Sequence, residues 1–155
     1  MQVPVIKWYE KDTNFRNYQT FNFAEEVRAS SMDPEIKVLF VNSVKKEMTA
    51  LNYKFSYDAD LSIDLKVVSK GDRTRGFKEV RINGEDFRYE FGSGLIKNYG
   101  SNVVYTEGAI WVFIFDRKNK KIFEGRAQGS ISNMEKNKLK IQKGVGKIFK
   151  GKPFN

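Results

Sequence analysis

The alternation of hydrophobic and polar residues is clearest over 105–129, where it predicts a β-hairpin around a polar loop at 116–120. The first strand is hydrophobic on both faces: one face carries Ala109, Trp111, Phe113 and Phe115, and the other carries Ile110, Val112 and Ile114. The returning strand has one polar face, and its other face carries Phe123, Gly125, Ala127 and Gly129. Small residues at alternate positions leave room for a close neighbour. The pattern therefore predicts a central hairpin covered by a helix on that face.

Two amphipathic helices are predicted, at 33–52 and 134–150. Asp33 is a suitable N-cap, and Pro34 suits the first helical position. Hydrophobic residues of the first helix recur at helical spacing, at Ile36, Phe40, Val44, Met48 and Leu51. Those of the second helix are Met134, Ile141, Val145, Ile148 and Phe149, and Gly144 and Gly146 weaken its helix propensity. Each helix is expected to place one hydrophobic stripe on a core.

Shorter segments predict the remaining strands, at 3–8, 18–23, 53–57 and 60–68. The glycine-rich middle of the chain, 69–102, contains Asn83-Gly84 between hydrophobic residues. This dipeptide predicts a tight hairpin, because both turn positions need residues that tolerate positive φ. We expect 69–102 to be a β insertion within one domain, 1–155, that has no internal repeat.

These elements together predict an α+β domain, with a mostly antiparallel, twisted sheet and two helices packed on one face. Residues 123, 125, 127 and 129 are expected to lie under the helices. At 155 residues the chain is most simply one domain, and it is long enough to bury roughly 70% of its unfolded surface.

Composition removes several classes of chemistry. The chain has no Cys and no His, which excludes thiolate nucleophiles, Ser-His-Asp arrangements and nearly every zinc, haem or iron–sulfur site. Asp, Glu, Lys and Tyr can also catalyse, but no set of them converges along the sequence. The sequence therefore predicts a protein that is not an enzyme and has no cofactor and no metal.

Weaker motifs do not change this prediction. Asp58, Asp60 and Asp64 lack the Gly and the terminal Glu of a calcium loop. Gly92-Ser93-Gly94 lacks the Gly-Lys-Ser/Thr of a phosphate loop, and Glu85-Asp86 follows a turn, where carboxylates are usually just exposed. Six Tyr and Arg residues could stack on bases or sugars: Tyr89, Tyr99, Tyr105, Arg73, Arg75 and Arg81. Aromatic residues that alternate along strands, however, usually form cross-strand pairs.

Positive charge is concentrated at the C-terminal end. Residues 1–116 carry 16 basic and 17 acidic residues, whereas 117–155 carry 12 basic and two acidic residues, a net charge of +10. At 100° per residue, five lysines of the second predicted helix fall opposite its hydrophobic stripe and are called the lysine row: Lys136, Lys140, Lys143, Lys147 and Lys150. The lysine row is a candidate contact for phosphates of lipid headgroups, lipopolysaccharide or nucleic acid. The alternative is that lysines simply solvate the exposed side of a helix.

Several segments, in their order along the chain, resemble a known family. The earlier ones are Phe15, Tyr18-Gln19-Thr20-Phe21, Asp33-Pro34, Leu51-Asn52-Tyr53 and Asp58-Ala59-Asp60-Leu61. The later ones are Tyr105-Thr106-Glu107-Gly108, Phe115-Asp116, Lys120-Lys121-Ile122-Phe123-Glu124-Gly125-Arg126-Ala127, and 141–149 followed by Pro153. They are similar to a family of bacterial envelope lipoproteins catalogued as a domain of unknown function (DUF4136-like). The likeness covers the chain outside 69–102, a region that varies among members.

The chain also departs from that family. Members more often have Gly-Tyr where Asn52-Tyr53 stands, and Trp-Arg where Phe123-Glu124 stands. Members begin with a signal peptide that ends in a lipid-modified cysteine, which this sequence lacks. The resemblance therefore implies that Met1 begins a trimmed form whose export signal and anchor have been removed.

The resemblance implies a function as well as a fold. It implies a non-enzymatic lipoprotein domain, tethered to a membrane by an N-terminal lipid on the periplasmic side of a Gram-negative envelope, and expected at the outer membrane. The family has no assigned catalytic residues, so none is inferred here. The expected role is to bind or scaffold another envelope component, either a protein or anionic headgroups. The alternative is a basic nucleic-acid-binding protein of the cytosol, acting through the lysine row and the aromatic strands.

Overall fold

A computed structural model describes residues 5–30, 32–68, 77–82, 85–90, 94–97, 107–130 and 138–155. The strands in these ranges are β1 (Val5–Tyr9), β2 (Thr20–Phe23), β3 (Lys54–Phe55), β4 (Leu61–Val68), β5 (Phe77–Ile82), β6 (Glu85–Glu90), β7 (Gly94–Lys97), β8 (Glu107–Phe115) and β9 (Lys121–Ser130). The helices are α1 (Glu25–Ala29), α2 (Pro34–Ala50) and α3 (Lys138–Phe149), and a 3-10 turn covers Phe15–Asn17.

The main sheet has six strands in the order β1-β9-β8-β4-β2-β3. The three pairings from β1 to β4 are antiparallel, whereas β2 runs parallel to both β4 and β3. The predicted α+β class and mostly antiparallel sheet are confirmed. The parallel pairs were not predicted, because hydrophobic alternation locates a strand without giving its neighbour or direction.

The predicted central hairpin is β8 and β9, which pair from Glu107↔Ser130 to Ile114↔Phe123. The register then shifts, so that Phe115 pairs with Lys121 and Ile122 is the extra residue of a bulge. This bulge explains why Ile122 is only 1% exposed, although simple alternation places it on the polar face of the strand.

Helix α2 begins as its sequence predicts. The Asp33 carboxylate accepts hydrogen bonds from the backbone N–H groups of Glu35 and Ile36, at 2.9 and 3.3 Å. These bonds satisfy two of the amides that a helix start leaves without partners. Four residues of the predicted hydrophobic stripe are buried: Ile36, Phe40, Val44 and Met48. The fifth, Leu51, is partly buried.

Helix α3 packs beside α2 and across β9. A Cβ on Gly125 of β9 would lie 2.5 Å from Cγ2 of Ile148, and a Cβ on Gly144 of α3 would lie 3.0 Å from Cβ of Ala127. The small residues on both elements therefore set how closely helix and sheet approach, as the hairpin pattern predicted. The side-chain surroundings of Gly129, and residues 134–137 of the predicted helix, lie outside the described part of the chain.

One hydrophobic core joins the two long helices to the sheet. It includes Phe40, Met48, Ile114, Phe123 and Ile148, each buried. The C-terminal tail completes this core, because the Phe154 ring lies 4.8 Å from the Phe123 ring and 5.5 Å from the Phe15 ring, centroid to centroid.

A second, three-stranded antiparallel sheet is formed by β5, β6 and β7. Ile82 pairs with Glu85 at the end of the β5-β6 ladder, which is the register that a two-residue Asn-Gly turn predicts. Asn83 and Gly84 themselves lie outside the described residues. These strands fall within the predicted β insertion, 69–102.

Candidate functional site

The lysine row lies on α3 and just beyond its end. Lys143, Lys147 and Lys150 are exposed, and Lys140 is partly buried. Lys136 lies outside the described residues. The opposite side of α3 is fully buried, with Val145 and Ile148 each 0% exposed. The described lysines are therefore on the outward side of a helix whose other side belongs to the core.

A hydrophobic side chain lies next to these lysines. Leu139 is 71% exposed, and its position four residues before Lys143 places it on the same side of α3. Helix α3 contains four lysines and no acidic residue. The exposed side of α3 is therefore cationic, with one exposed apolar side chain near the start of the helix.

Several cations on and around α3 have partners within the chain. Nζ of Lys7, on β1, donates to the carbonyl oxygens of Lys150 and Lys152, at the C-terminal end of the helix. Burial lowers the pKa of the Lys7 ammonium. Lys138 Nζ lies 3.7 Å from Glu35 Oε2, and Lys140 and Lys147 each have an intramolecular interaction. Lys7 thus holds the end of α3 against the edge of the sheet, which positions Lys150.

Asp58 and Asp60 are used in a structural contact. Arg117, in the β8-β9 loop, approaches Asp58 Oδ1 at 2.9 Å and Asp60 Oδ1 at 3.4 Å. Asp60 Oδ2 also accepts from the backbone N–H groups of Gln19, at 2.8 Å, and Thr20, at 3.3 Å. The Gln19 amide, followed by the Thr20 amide and Arg117, lowers the pKa of Asp60 although partial burial opposes this. These carboxylates tie the start of β2 to the hairpin loop.

The side of the main sheet away from the helices, here called the outer face, is rich in aromatic residues. Strand pairing arranges it in two rows that cross β1, β9, β8 and β4. The first row is Ile6, Arg126, Trp111 and Lys66, and the second row is Trp8, Glu124, Phe113 and Asp64. Ile6 is 60% exposed and Trp8 is 45% exposed, so the outer face meets solvent at the β1 edge.

Cations lie over the aromatic rings of the outer face. The Trp111 and Phe113 rings stack with centroids 5.7 Å apart and an interplanar angle of 8°. The Arg126 guanidinium lies 5.3 Å from the Trp111 ring, and Lys121 Nζ lies 5.3 Å from the Trp8 ring and 2.9 Å from Glu124 Oε1. Burial raises the pKa of the Asp64 carboxyl above its ordinary value. The hydrogen bond that this carboxyl accepts from the Leu65 backbone amide partly opposes that increase. The outer face is thus a surface of aromatic rings and charges at close range.

Two of the remaining sequence motifs fall outside the described side chains: Gly92-Ser93 lies between described ranges, and only the backbone of Glu85 and Asp86 is placed, on β6. The same holds for the Tyr and Arg residues of 69–106. Within the described ranges, no group of three or more Asp and Glu side chains is close enough to hold a metal ion. No helix in those ranges is long and apolar enough to cross a membrane.

Sequence reasoning missed the organisation of the outer face and the role of Lys7. The signal for the outer face was present in β8, because a strand hydrophobic on both sides has a second face to cover. Which charges lie beside those aromatic residues depends on the order and register of four strands, which the alternation does not specify.

The chain as a whole is similar to one family of domains. A family model described as "Domain of unknown function (DUF4136)" matches residues 5–154. Two crystal forms of the PelC dodecamer from Paraburkholderia phytofirmans, one a single-residue variant, align with a TM-score of 0.49 and 8% identity. The alignments cover 95% of this chain and 94% and 95% of the two PelC chains. No curated protein matches this sequence.

Proposed function

The chain belongs to the DUF4136 domain family, and on that premise we propose that it is the folded domain of a lipid-anchored protein on the periplasmic side of a Gram-negative envelope, at the outer membrane. Its role is non-enzymatic: it binds or scaffolds another envelope component. The observation that carries this proposal is the exposed side of α3, where Lys143, Lys147 and Lys150 share a surface with the exposed Leu139.

The chemistry of this surface suits anionic headgroups. Each lysine near an anionic membrane surface contributes about 1 kcal/mol of attraction, so three lysines supply only about 3 kcal/mol. The attraction also falls off within a Debye length of about 8 Å at physiological ionic strength. An attraction of this size needs a second signal to hold the protein, and an N-terminal lipid would provide one.

Leu139 favours a lipid surface over nucleic acid as the partner. An apolar side chain beside lysines can enter the boundary between headgroups and acyl chains, whereas phosphates of a duplex offer it no apolar contact. Nucleic acid remains the alternative partner that the experiment below distinguishes.

Vesicle binding tests the role of the lysine row. The chain should co-sediment with phosphatidylglycerol vesicles more than with phosphatidylcholine vesicles, and added salt should reduce this binding. Replacing Lys143, Lys147 and Lys150 together by Gln should abolish most of it. A control with the same charge change at exposed lysines elsewhere, Lys11, Lys54 and Lys118 to Gln, should bind nearly as wild type.

Two outcomes would contradict the proposal. Equal loss in both triple variants would mean that net charge, rather than the exposed side of α3, drives binding. Displacement from the vesicles by duplex DNA at a lower phosphate concentration than that of the lipid would favour the nucleic-acid alternative.

A further inference from the structure

The outer face carries opposite charges in its two rows. The first row contains Arg126 and Lys66, and the second contains Glu124 and Asp64. Neighbouring residues on one face of a strand are about 7 Å apart, so β9 and β4 each carry a cation and an anion separated by that distance. On β8, which lies between β9 and β4, Trp111 and Phe113 occupy the corresponding positions.

This arrangement is self-complementary under one two-fold operation. The two-fold axis lies between the two facing sheets, perpendicular to the strands and midway between the rows. Each strand of the second copy then lies opposite the same strand of the first copy and antiparallel to it, so that the first row of each copy faces the second row of the other. Arg126 then faces Glu124 of the second copy, and Lys66 faces Asp64 of the second copy. A two-fold axis along the strands would instead pair each row with itself and bring no opposite charges together.

The uncharged positions agree with the same operation. Trp111 faces Phe113 of the second copy on β8, and Ile6 faces Trp8 of the second copy on β1. Aromatic residues and Arg are the residue types that are enriched in protein interfaces.

We propose that the outer face is an isologous interface, through which two copies of this chain pack sheet against sheet with the two rows exchanged. The interface uses β1, β9, β8 and β4, on the side of the sheet opposite to α3. It is therefore independent of the lysine row, and its test is independent of the vesicle experiment.

The test uses single charge reversals on β9, followed through the mass measured by analytical ultracentrifugation over a series of protein concentrations. Wild type should show a concentration-dependent dimer. Arg126→Glu puts an acidic side chain at both of these positions of β9, and Glu124→Arg puts a basic side chain at both. Like charges then face each other across the interface, so each variant alone should dimerise at least about tenfold more weakly. Lys46→Glu, a charge reversal at an exposed position of α2 on the helix side, should dimerise as wild type.

Mixing the two variants gives the sharpest result. In a mixed pair, the two substituted positions face each other with opposite charges, and so do the unchanged Glu124 of one chain and the unchanged Arg126 of the other. We therefore expect an equimolar mixture to form a heterodimer although each variant alone is monomeric. Lys66→Asp and Asp64→Lys provide the same test on β4 if a β9 variant does not unfold cooperatively.

Several results would overturn the proposal. A wild-type chain that stays monomeric at every concentration has no such interface. A dimer that survives Arg126→Glu uses another surface. Variants that lose stability as monomers, with no rescue on mixing, would indicate that another part of the same chain occupies the outer face.

Discussion

The Cβ position of Gly125 on β9 lies 2.5 Å from Cγ2 of Ile148 on α3, closer than real Cβ contacts come. Ile148 is fully buried, and its branched side chain cannot turn away without disturbing the core. We therefore expect Gly125→Ala to lower the free energy of unfolding by about 1–3 kcal/mol, measured by urea denaturation.

Gly146→Ala is the matched control for this prediction. Its Cβ would meet only Glu47 Oε1, at 3.6 Å, which is an ordinary contact. Replacing a glycine inside α3 should raise the free energy of unfolding by about 0.5–1 kcal/mol. If both substitutions change stability in the same direction, the close approach at Gly125 does not set the spacing between helix and sheet.

The N-cap of α2 gives a second prediction. Asp33→Ala removes the acceptor for the Glu35 and Ile36 amides and should lower the free energy of unfolding by about 1 kcal/mol. Asp33→Ser keeps an acceptor and should retain most of the stability. Equal losses in the two variants would show that the side chain does not act as a cap.

Stability at low pH should depend on Asp60. Hydrogen bonds from the Gln19 and Thr20 amides, together with Arg117, lower the pKa of Asp60 in the folded chain. A carboxyl whose pKa is lower in the folded chain than in the unfolded chain stabilises the fold at pH values above its ordinary pKa. This stabilisation is lost as the pH falls through the pKa of the folded state. Asp60→Asn should therefore weaken the decline of the free energy of unfolding below about pH 4.

Asp58→Asn is the control, because Asp58 is 92% exposed at its side chain and contacts the same Arg117. It should leave the acid limb of the stability profile nearly unchanged. A matching change in both variants would assign the effect to Arg117 rather than to the backbone amides of Gln19 and Thr20.

The parts of the fold that the sequence predicted depend on local physics. Asp33 and Pro34 mark a helix start by their own chemistry, and the alternation in β8 and β9 identifies a hairpin with a small-residue face. The parallel pairing of Phe21 with Leu61 could not be predicted, because it joins segments about forty residues apart and neither carries a signal for the other. The short helix α1 was also missed, since five residues are too few to show a period.

The candidate sites divide in the same way. The lysines of α3 share a helix, so their common side follows from spacing in the sequence, although their role remains a prediction. Arg126 and Lys66 share a row only because β9, β8 and β4 pair in one register, and Lys7 reaches the Lys150 carbonyl across 143 residues of chain. Such contacts depend on tertiary structure, and no local pattern indicates them.

The central claim is that the protein is a lipid-anchored protein of the cell envelope, and lipid labelling of the complete gene product tests this claim most directly. The complete gene would be expressed in a Gram-negative host that is fed a labelled fatty acid, and the cells would then be fractionated. We predict that the label is covalently attached to the protein and that the protein is in the outer-membrane fraction. An unlabelled protein in the cytosol would contradict the lipoprotein account and make nucleic acid the next partner to test.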